Sequence, residues 1–328
     1  MKFLVIRFSS IGDVVLTTPV LRCLKKRYPD AQIHFLTKAQ FHPLLAANPF
    51  ISKFHLLEDD LEVVIDDLKA EKFDYVIDLH KNIRSMRVKK ALDAKTISFN
   101  KLNIQKWLAV NLKVDMLPDK HIVDRYFDSL AKIGVENDGQ GLDYYIWEKE
   151  VNDYVSSIAK TPYIAYAIGA QHNTKKLPDD RIIEICERVN GKIILLGGKT
   201  ETALGDKINS ILPAKIINLC GKTNLNESAY LVKHAKKVIA HDTGFMHIAA
   251  AFKKPVISIW GNTVPAFGMY PYFGSRNLLT AEKQSFIFEV DGLPCRPCSK
   301  LGYDKCPRDH FKCMNGQDIS KIVEVVNR

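Results

Sequence analysis

The chain twice runs from an apolar strand through a glycine-containing turn into a helix, and this repeat constrains its fold more than any other feature. Phe3 to Phe8 is a near-continuous apolar run, of the kind buried on both faces of a parallel sheet. Ser9-Ser10-Ile11-Gly12-Asp13 then turns the chain, and Val14 to Tyr28 carries apolar residues at helical spacing (Val14, Val15, Leu21, Leu24). Half-way along, Tyr163 to Ile168 repeats the strand. Gly169 to Lys176 repeats the turn, and Asp179 or Asp180 to about Val189 repeats the helix. Further strands are expected at Ile33 to Leu36, Tyr75 to Ile77, Ile193 to Leu196, Ile216-Ile217, Val238-Ile239 and Val256 to Ile259. Helices are expected at Leu61 to Leu68, after His80, at His121 to Leu130, and as crossovers at Glu201 to Ile211, Leu225 to Lys236 and Phe245 to Phe252. Alternation of this kind implies right-handed βαβ units. The expected fold is therefore α/β: two Rossmann-like doubly wound domains facing across a cleft, with ligands outside the carboxyl ends of the strands. Gly134, Gly139 and Gly141, set among polar residues, mark a linker ending at Tyr144. The expected domains are 1–145 and 146–316, followed by a closing helix in 317–328.

Composition narrows the function. The 328 residues leave ample core, and no apolar run approaches the ~20 residues of a membrane span. Arg7 interrupts the first apolar run too early for a signal peptide, so a cytoplasmic protein is expected. A net charge of +10 points to an acidic partner. Eight basic residues and a single acid, Asp93, lie between Lys81 and Lys106. No interleaved aromatics and no zinc-finger spacing accompany them, which favours a small acidic substrate or a membrane surface over nucleic acid. Gly198-Lys199-Thr200 and Gly221-Lys222-Thr223 imitate the end of a P-loop, but Ile193 and Ile216 stand where its first glycine belongs. No G-x-G-x-x-G, no Asp-x-Asp and no G-x-S-x-G occurs, which argues against a dinucleotide-dependent dehydrogenase, the usual metal–diphosphate clamp and a hydrolase elbow.

The strongest local signal is His241-Asp242-Thr243-Gly244-Phe245-Met246-His247, where a β-branched strand meets a helix start. Thr243 or Asp242 can cap that helix, Gly244 permits close approach, and the free N–H groups suit a phosphate or diphosphate. The two histidines are six residues apart, the wrong spacing for an i, i+4 metal pair, and a buried core role is expected for at least one. Cys295-x-x-Cys298, with Cys306 and Cys313, has a zinc-like composition, yet the second pair is spaced by six residues. A structural zinc on these four thiols and reduced or partly disulfide-linked packing cysteines both remain open.

Three motifs in this order resemble the ADP-heptose:lipopolysaccharide heptosyltransferases, glycosyltransferase family 9. They are Ser9-Ser10-Ile11-Gly12-Asp13, Thr174-Lys175-Lys176-Leu177-Pro178, and Asp242-Thr243-Gly244 with His247. Asp78-Leu79-His80-Lys81-Asn82, with Arg84 and Ser85, and Asp124-Arg125-Tyr126 are also similar to the family's. The resemblance implies a GT-B fold and inverting, metal-independent sugar transfer, with no catalytic cofactor, from a nucleotide diphosphate to an acidic lipid-linked inner-core glycan. Asp13 matches the catalytic base and Gly12 lies beside the acceptor. Lys175, Thr243, Gly244 and His247 match the donor-phosphate site. Asp242 matches the donor-sugar contact, Glu201 falls near the ribose position, and Lys81 or Arg84 would hold an acceptor carboxylate. The remaining basic residues would press on the anionic inner face of the inner membrane, each adding ~1 kcal/mol. In GT-B folds the closing helix often crosses back to the first domain. Lys176-Leu177 stands where many members carry an aromatic residue after the phosphate lysine. The competing expectations are a non-catalytic nucleotide- or anion-binding relative and, behind it, a nucleic-acid-binding protein.

Overall fold

The computed structural model describes residues 1–274 and 284–328. They form two compact units, each built on its own parallel sheet. The first unit contains Met1–Lys101 and Lys120–Tyr145. Its strands are β1 (Lys2–Ile6), β2 (Gln32–Lys38), β3 (Lys53–Leu57), β4 (Tyr75–Asp78) and β5 (Lys95–Ser98), in the order β3-β2-β1-β4-β5. Phe3, Leu4, Val5 and Ile6 of β1 are fully buried, as a central strand covered on both faces requires. Phe3 pairs with Ile33 on one side and Tyr75 on the other. The strand order reverses between β1 and β4, so this is where such a sheet opens a binding crevice.

The single helix expected after the first turn is two, α1 (Ile11–Val15) and α2 (Thr18–Arg27). Pro19 is the cause. A proline has no N–H and belongs in a helix's first turn, so α2 restarts beneath it while Thr17 Oγ1 bonds back to the Val14 carbonyl at 2.7 Å. Helices α3 (Leu61–Glu71) and α4 (Ile83–Ala91) follow in this unit. The next helix, α5 (Asn103–Asn111), is counted with the second unit, and α6 (Ile122–Leu130) with the first.

The expected linker is not a free connector. Arg22 of α2 ion-pairs with Asp138 (2.9 Å) and Asp143 and donates to the Gly141 carbonyl, fastening this segment to the first unit.

The second unit repeats the plan with β6 (Tyr163–Ala167), β7 (Lys192–Leu196), β8 (Ile216–Asn218), β9 (Lys237–His241), β10 (Val256–Ile259) and β11 (Ser285–Phe288). Their order is β11-β10-β9-β6-β7-β8, a six-stranded Rossmann arrangement whose switch point lies between β6 and β9. Its helices include α7 (Asp153–Ile158), α8 (Asp179–Arg188), α9 (Thr202–Ile211), α10 (Leu225–His234) and α11 (Gly244–Ala251).

Two boundaries differ from expectation. Leu102–Asp119 belongs to the second unit, where Lys113 Nζ donates to the carbonyls of Cys295 (3.1 Å) and Pro297 (2.7 Å). The closing helix Ile319–Asn327 is counted with the second unit. Its Ile319, Ile322, Val323 and Val326 fall on one helical face and join Ile182, Ile185 and Cys186 of α8 in a common core.

Candidate functional site

In the first unit the end of β1 delivers Asp13 to the switch point. Ser10 holds the carboxylate from below, its hydroxyl donating to Oδ2 at 2.8 Å and its N–H to the same atom at 3.2 Å. Arg7 ion-pairs with Oδ1. Burial alone would push the Asp13 carboxyl up, but the Arg7 charge and the Ser10 bonds outweigh it and hold it at about 2. Gly12 is buried beside it. Across the switch point Asp78, fully buried at the end of β4, accepts from His80 N (3.0 Å), Lys81 N (2.7 Å), Ser85 Oγ (2.8 Å) and Lys89 Nζ (2.9 Å). This buried acid shapes the turn that carries His80 and Lys81. Asn82 then caps α4 by accepting from Ser85 N at 2.9 Å. Lys81 and Arg84 are exposed at this edge. Burial, then the Arg7 and Lys101 charges, pushes His80 down to about 4, so it is a neutral imidazole near pH 7.

The basic stretch does not form one patch. Lys89 turns in to Asp78, Arg87 pairs with Glu62, Lys95 lies over the Tyr75 ring, and Lys106 belongs to the second unit.

In the second unit the turns after β6 and β9 meet. Lys175 Nζ lies 2.5 Å from Asp242 Oδ2, and Thr263 Oγ1 donates to the same oxygen at 2.8 Å. A Cβ on Gly261 would stand 2.6 Å from the Thr174 carbonyl, so this close approach of loops requires glycine there. His241 is fully buried and anchors the lysine loop, its Nε2 accepting from Leu177 N at 3.1 Å. Burial, reinforced by the Lys176 charge, pushes it down to about 3. His247 is likewise buried, on α11. Thr243 is the residue before α11, yet its side chain makes no capping bond, and its Oγ1 is buried without a partner. The Gly244 end of α11 therefore combines an unsatisfied hydroxyl, free helix N–H groups and a neighbouring ammonium, which together suit an anionic ligand.

Glu201 is held differently. It is buried beneath Gly169 and Gly197, and its Oε2 accepts from Gly198 N (3.0 Å) and Thr200 Oγ1 (2.9 Å), while Oε1 lies 3.5 Å from Lys176 Nζ. One of its oxygens serves the local turn, and the other faces the second lysine of the loop.

All seven cysteines are free. Cys298 Sγ donates to the Cys295 carbonyl at 3.0 Å, and Cys295 Sγ lies 3.8 Å from His310 Nε2. Burial pushes both Cys298 and Cys313 up to about 11. Among the described residues, Cys295, Cys298, Cys306 and Cys313 do not bring three donor atoms within 4.8 Å of one another. The group that does is His34, His55 and Glu71, whose carboxylate is already occupied by Lys2 (2.8 Å) and Lys53 (2.5 Å).

Sequence reasoning gave roles to Asp13, Lys175, Asp242 and Thr243 but none at the site to Arg7, Ser10 and Thr263, which hold the two carboxylates. For Arg7 the available signal was a lone charge ending an otherwise buried strand.

The model of glycosyltransferase family 9 (heptosyltransferase) matches residues 63–287. The chain is 25% identical over 304 residues to lipooligosaccharide heptosyltransferase 2 of Haemophilus influenzae, covering 81% of this chain and 85% of that one. It is 27% identical over 286 residues to lipopolysaccharide heptosyltransferase 3 of Escherichia coli, covering 78% and 81%. Among solved structures, a family 9 glycosyltransferase from Veillonella parvula superposes with a TM-score of 0.79 at 19% identity, covering 99% of this chain and 95% of that one. The E. coli heptosyltransferase WaaC with ADP superposes at 0.72 with 19% identity, covering 99% of each. The fold is the GT-B type, two Rossmann-like α/β units, which the two sheet orders display separately. A glycosyltransferase is what these matches describe, and the chain belongs to glycosyltransferase family 9.

Proposed function

We propose that the chain transfers heptose from ADP-heptose to the inner core of lipopolysaccharide, with inversion and without a catalytic metal ion. The observation that carries the donor half is the group at the β6/β9 switch point. There the Lys175 ammonium, the unpaired Thr243 hydroxyl and the start of α11 gather where a diphosphate is expected. The names of the relatives and the ADP-containing neighbour support the choice of nucleotide and sugar.

In this reading Lys175 exchanges Asp242 for the donor phosphates and offsets the charge growing on the departing diphosphate. Asp242, released from the lysine but still held by Thr263, is then available to a donor-sugar hydroxyl. His247 supports the turn from within α11, and Glu201 Oε1 is the atom available to the ribose. Asp13 takes the proton of the acceptor hydroxyl as that oxygen bonds to C1 and the C1–O bond to the diphosphate breaks. A carboxylate this weakly basic suffices because the attacking hydroxyl becomes strongly acidic as it bonds to carbon. Attack from the face opposite the leaving diphosphate inverts C1.

Exposed Lys81 and Arg84 are assigned to an acceptor carboxylate. We place the enzyme in the cytoplasm, at the inner face of the inner membrane. On α4, exposed Ile83 and Met86 alternate with Arg84, Arg87 and Lys90, a combination suited to an anionic lipid surface. No described helix is long and apolar enough to cross a membrane. The cysteine tail is assigned to reduced packing thiols, and one zinc per chain by elemental analysis would overturn that assignment. Melting shifts against a panel of nucleotide diphosphates and nucleotide sugars in EDTA test the donor, and the product's anomeric configuration by NMR tests inversion. Stabilisation by ADP-heptose above all others is expected. Equal response across the panel, or a strict need for a divalent ion, contradicts the proposal.

A further inference from the structure

Arg7 is the one charged residue at the end of the buried first strand, and it is 6% exposed. Its guanidinium is fixed on several sides. Nε donates to the Ser9 carbonyl at 2.9 Å, Nη1 donates to the Leu79 carbonyl, Tyr126 Oη stands 3.5 Å from Nη1, and Nη2 meets Asp13 Oδ1. The Ser9 and Leu79 carbonyls belong to the turns after β1 and β4, the two strands that flank the switch point. A residue that merely filled this space would not need a planar fork matched to two carbonyls and a carboxylate.

The carboxylate has two oxygens and about four acceptor directions. Arg7 takes one, and the Ser10 N–H and hydroxyl take two on the other oxygen. One direction is left, on a side chain that is 20% exposed.

We infer that Arg7 is a positioning residue for transfer: it keeps the Asp13 carboxylate ionised and turned so that its one remaining acceptor direction meets the acceptor hydroxyl. The inference rests on Asp13 being the proton acceptor, as proposed above. During transfer the hydroxyl proton passes to Asp13, the new O–C1 bond forms, the C1–diphosphate bond breaks and its electron pair leaves with ADP. Arg7 stays protonated throughout, and the proton on Asp13 then passes to solvent.

The other groups around Asp13 do not replace Arg7. Asp78 is fully buried and already holds Lys89 and Ser85. Tyr126 is pushed up to about 12 by burial and His80 down to about 4, so both are neutral near pH 7. Lys101 is in electrostatic range of Asp13 and Asp78, and Lys81 of Lys101, but no hydrogen bond joins either lysine to Asp13. With Arg7 in place Asp13 is held at about 2; without it, only the two Ser10 bonds oppose the burial that favours the neutral acid.

The test is the pH profile of kcat/KM for transfer in the intact wild type, Arg7→Met and Arg7→Lys, with ADP affinity and melting temperature measured alongside. The wild type is expected to show no acid limb from Asp13 above about pH 4. In Arg7→Met that limb rises above the ordinary carboxylate value of 3.8, and kcat falls roughly ten-fold or more while ADP affinity holds. Arg7→Lys, which keeps the charge but not the fork, keeps the low limb and recovers part of kcat. An Arg7→Met profile that superposes on the wild type overturns the inference. If Arg7→Met does not fold, a carbon-13 titration of the Asp13 carboxyl in the wild type decides: ionisation maintained below pH 3.8 supports the role, and an ordinary titration overturns it. Transfer surviving in Asp13→Asn would instead remove the reading on which the inference rests.

Discussion

Arg7–Asp13 and Lys175–Asp242 are the same kind of contact, a cation on a carboxylate at the switch point of a parallel sheet, built to opposite ends. In the first unit the cation is the fixture: Arg7 is buried, forked and tied to two main-chain carbonyls. In the second unit the carboxylate is the fixture. Asp242 is held by Thr263, while Lys175 is a single ammonium on a flexible stem that meets Asp242. An arginine pre-organises and stays, whereas a lysine can change partners. That contrast matches a site that must keep one carboxylate ready and another that must take up and release a charged leaving group.

The comparison breaks first at Asp13. Asp13→Asn keeps the shape and removes the proton acceptor, so kcat is expected to fall about 10²- to 10⁴-fold in a radiolabel transfer assay. Lys175→Met comes next, with a loss of roughly 10²- to 10³-fold in kcat. Unlike Asp13→Asn, it should also weaken ADP in calorimetry, and equal ADP affinity would show that the lysine does not reach the phosphates. Thr243→Val removes one hydroxyl and should cost about 1 kcal/mol of ADP affinity, roughly five-fold.

The smallest effect is on stability against pH. His241 is neutral in the fold, down to about 3, and the unfolded chain binds its proton near 6.5. Stability therefore declines as pH falls from about 6.5. Asp13 is depressed to about 2 from 3.8, so its contribution is present above 3.8 and is lost only as pH falls toward 2. Burial also depresses His55 and His80 of the first unit to about 4, and both share the histidine window. Melting at pH 5 against pH 8 should thus differ less in His241→Gln than in the wild type, while Asp13→Asn leaves that difference unchanged.

The central strands were legible because β1 and β6 are buried on both faces and so read as unbroken apolar runs. Strands β3, β5 and β11 escaped notice. The first, Lys-Phe-His-Leu-Leu, carries a lysine and a histidine, the second is four residues with two exposed, and all three are edge or near-edge strands. Asp242 and Thr243 could be singled out because a strand-to-helix turn is a local pattern, and Asp13 because its motif resembles the family's. Arg7 could not, since its partners Leu79 and Tyr126 stand 72 and 119 residues away. The two adjacent lysines show the same limit. Nothing in Lys175-Lys176 announces that the first meets Asp242 and the second Glu201, because the turn geometry decides it. Spacing alone could not place the cysteine tail, where one thiol lies beside His310 and another on a carbonyl.

The division of labour is tested most directly by measuring ADP binding and heptose transfer on one preparation of Asp13→Asn beside the wild type. ADP should bind both with the same affinity while transfer by Asp13→Asn is at least about a hundred-fold slower. An Asp13→Asn protein that still transfers within a few-fold of the wild type would contradict the account.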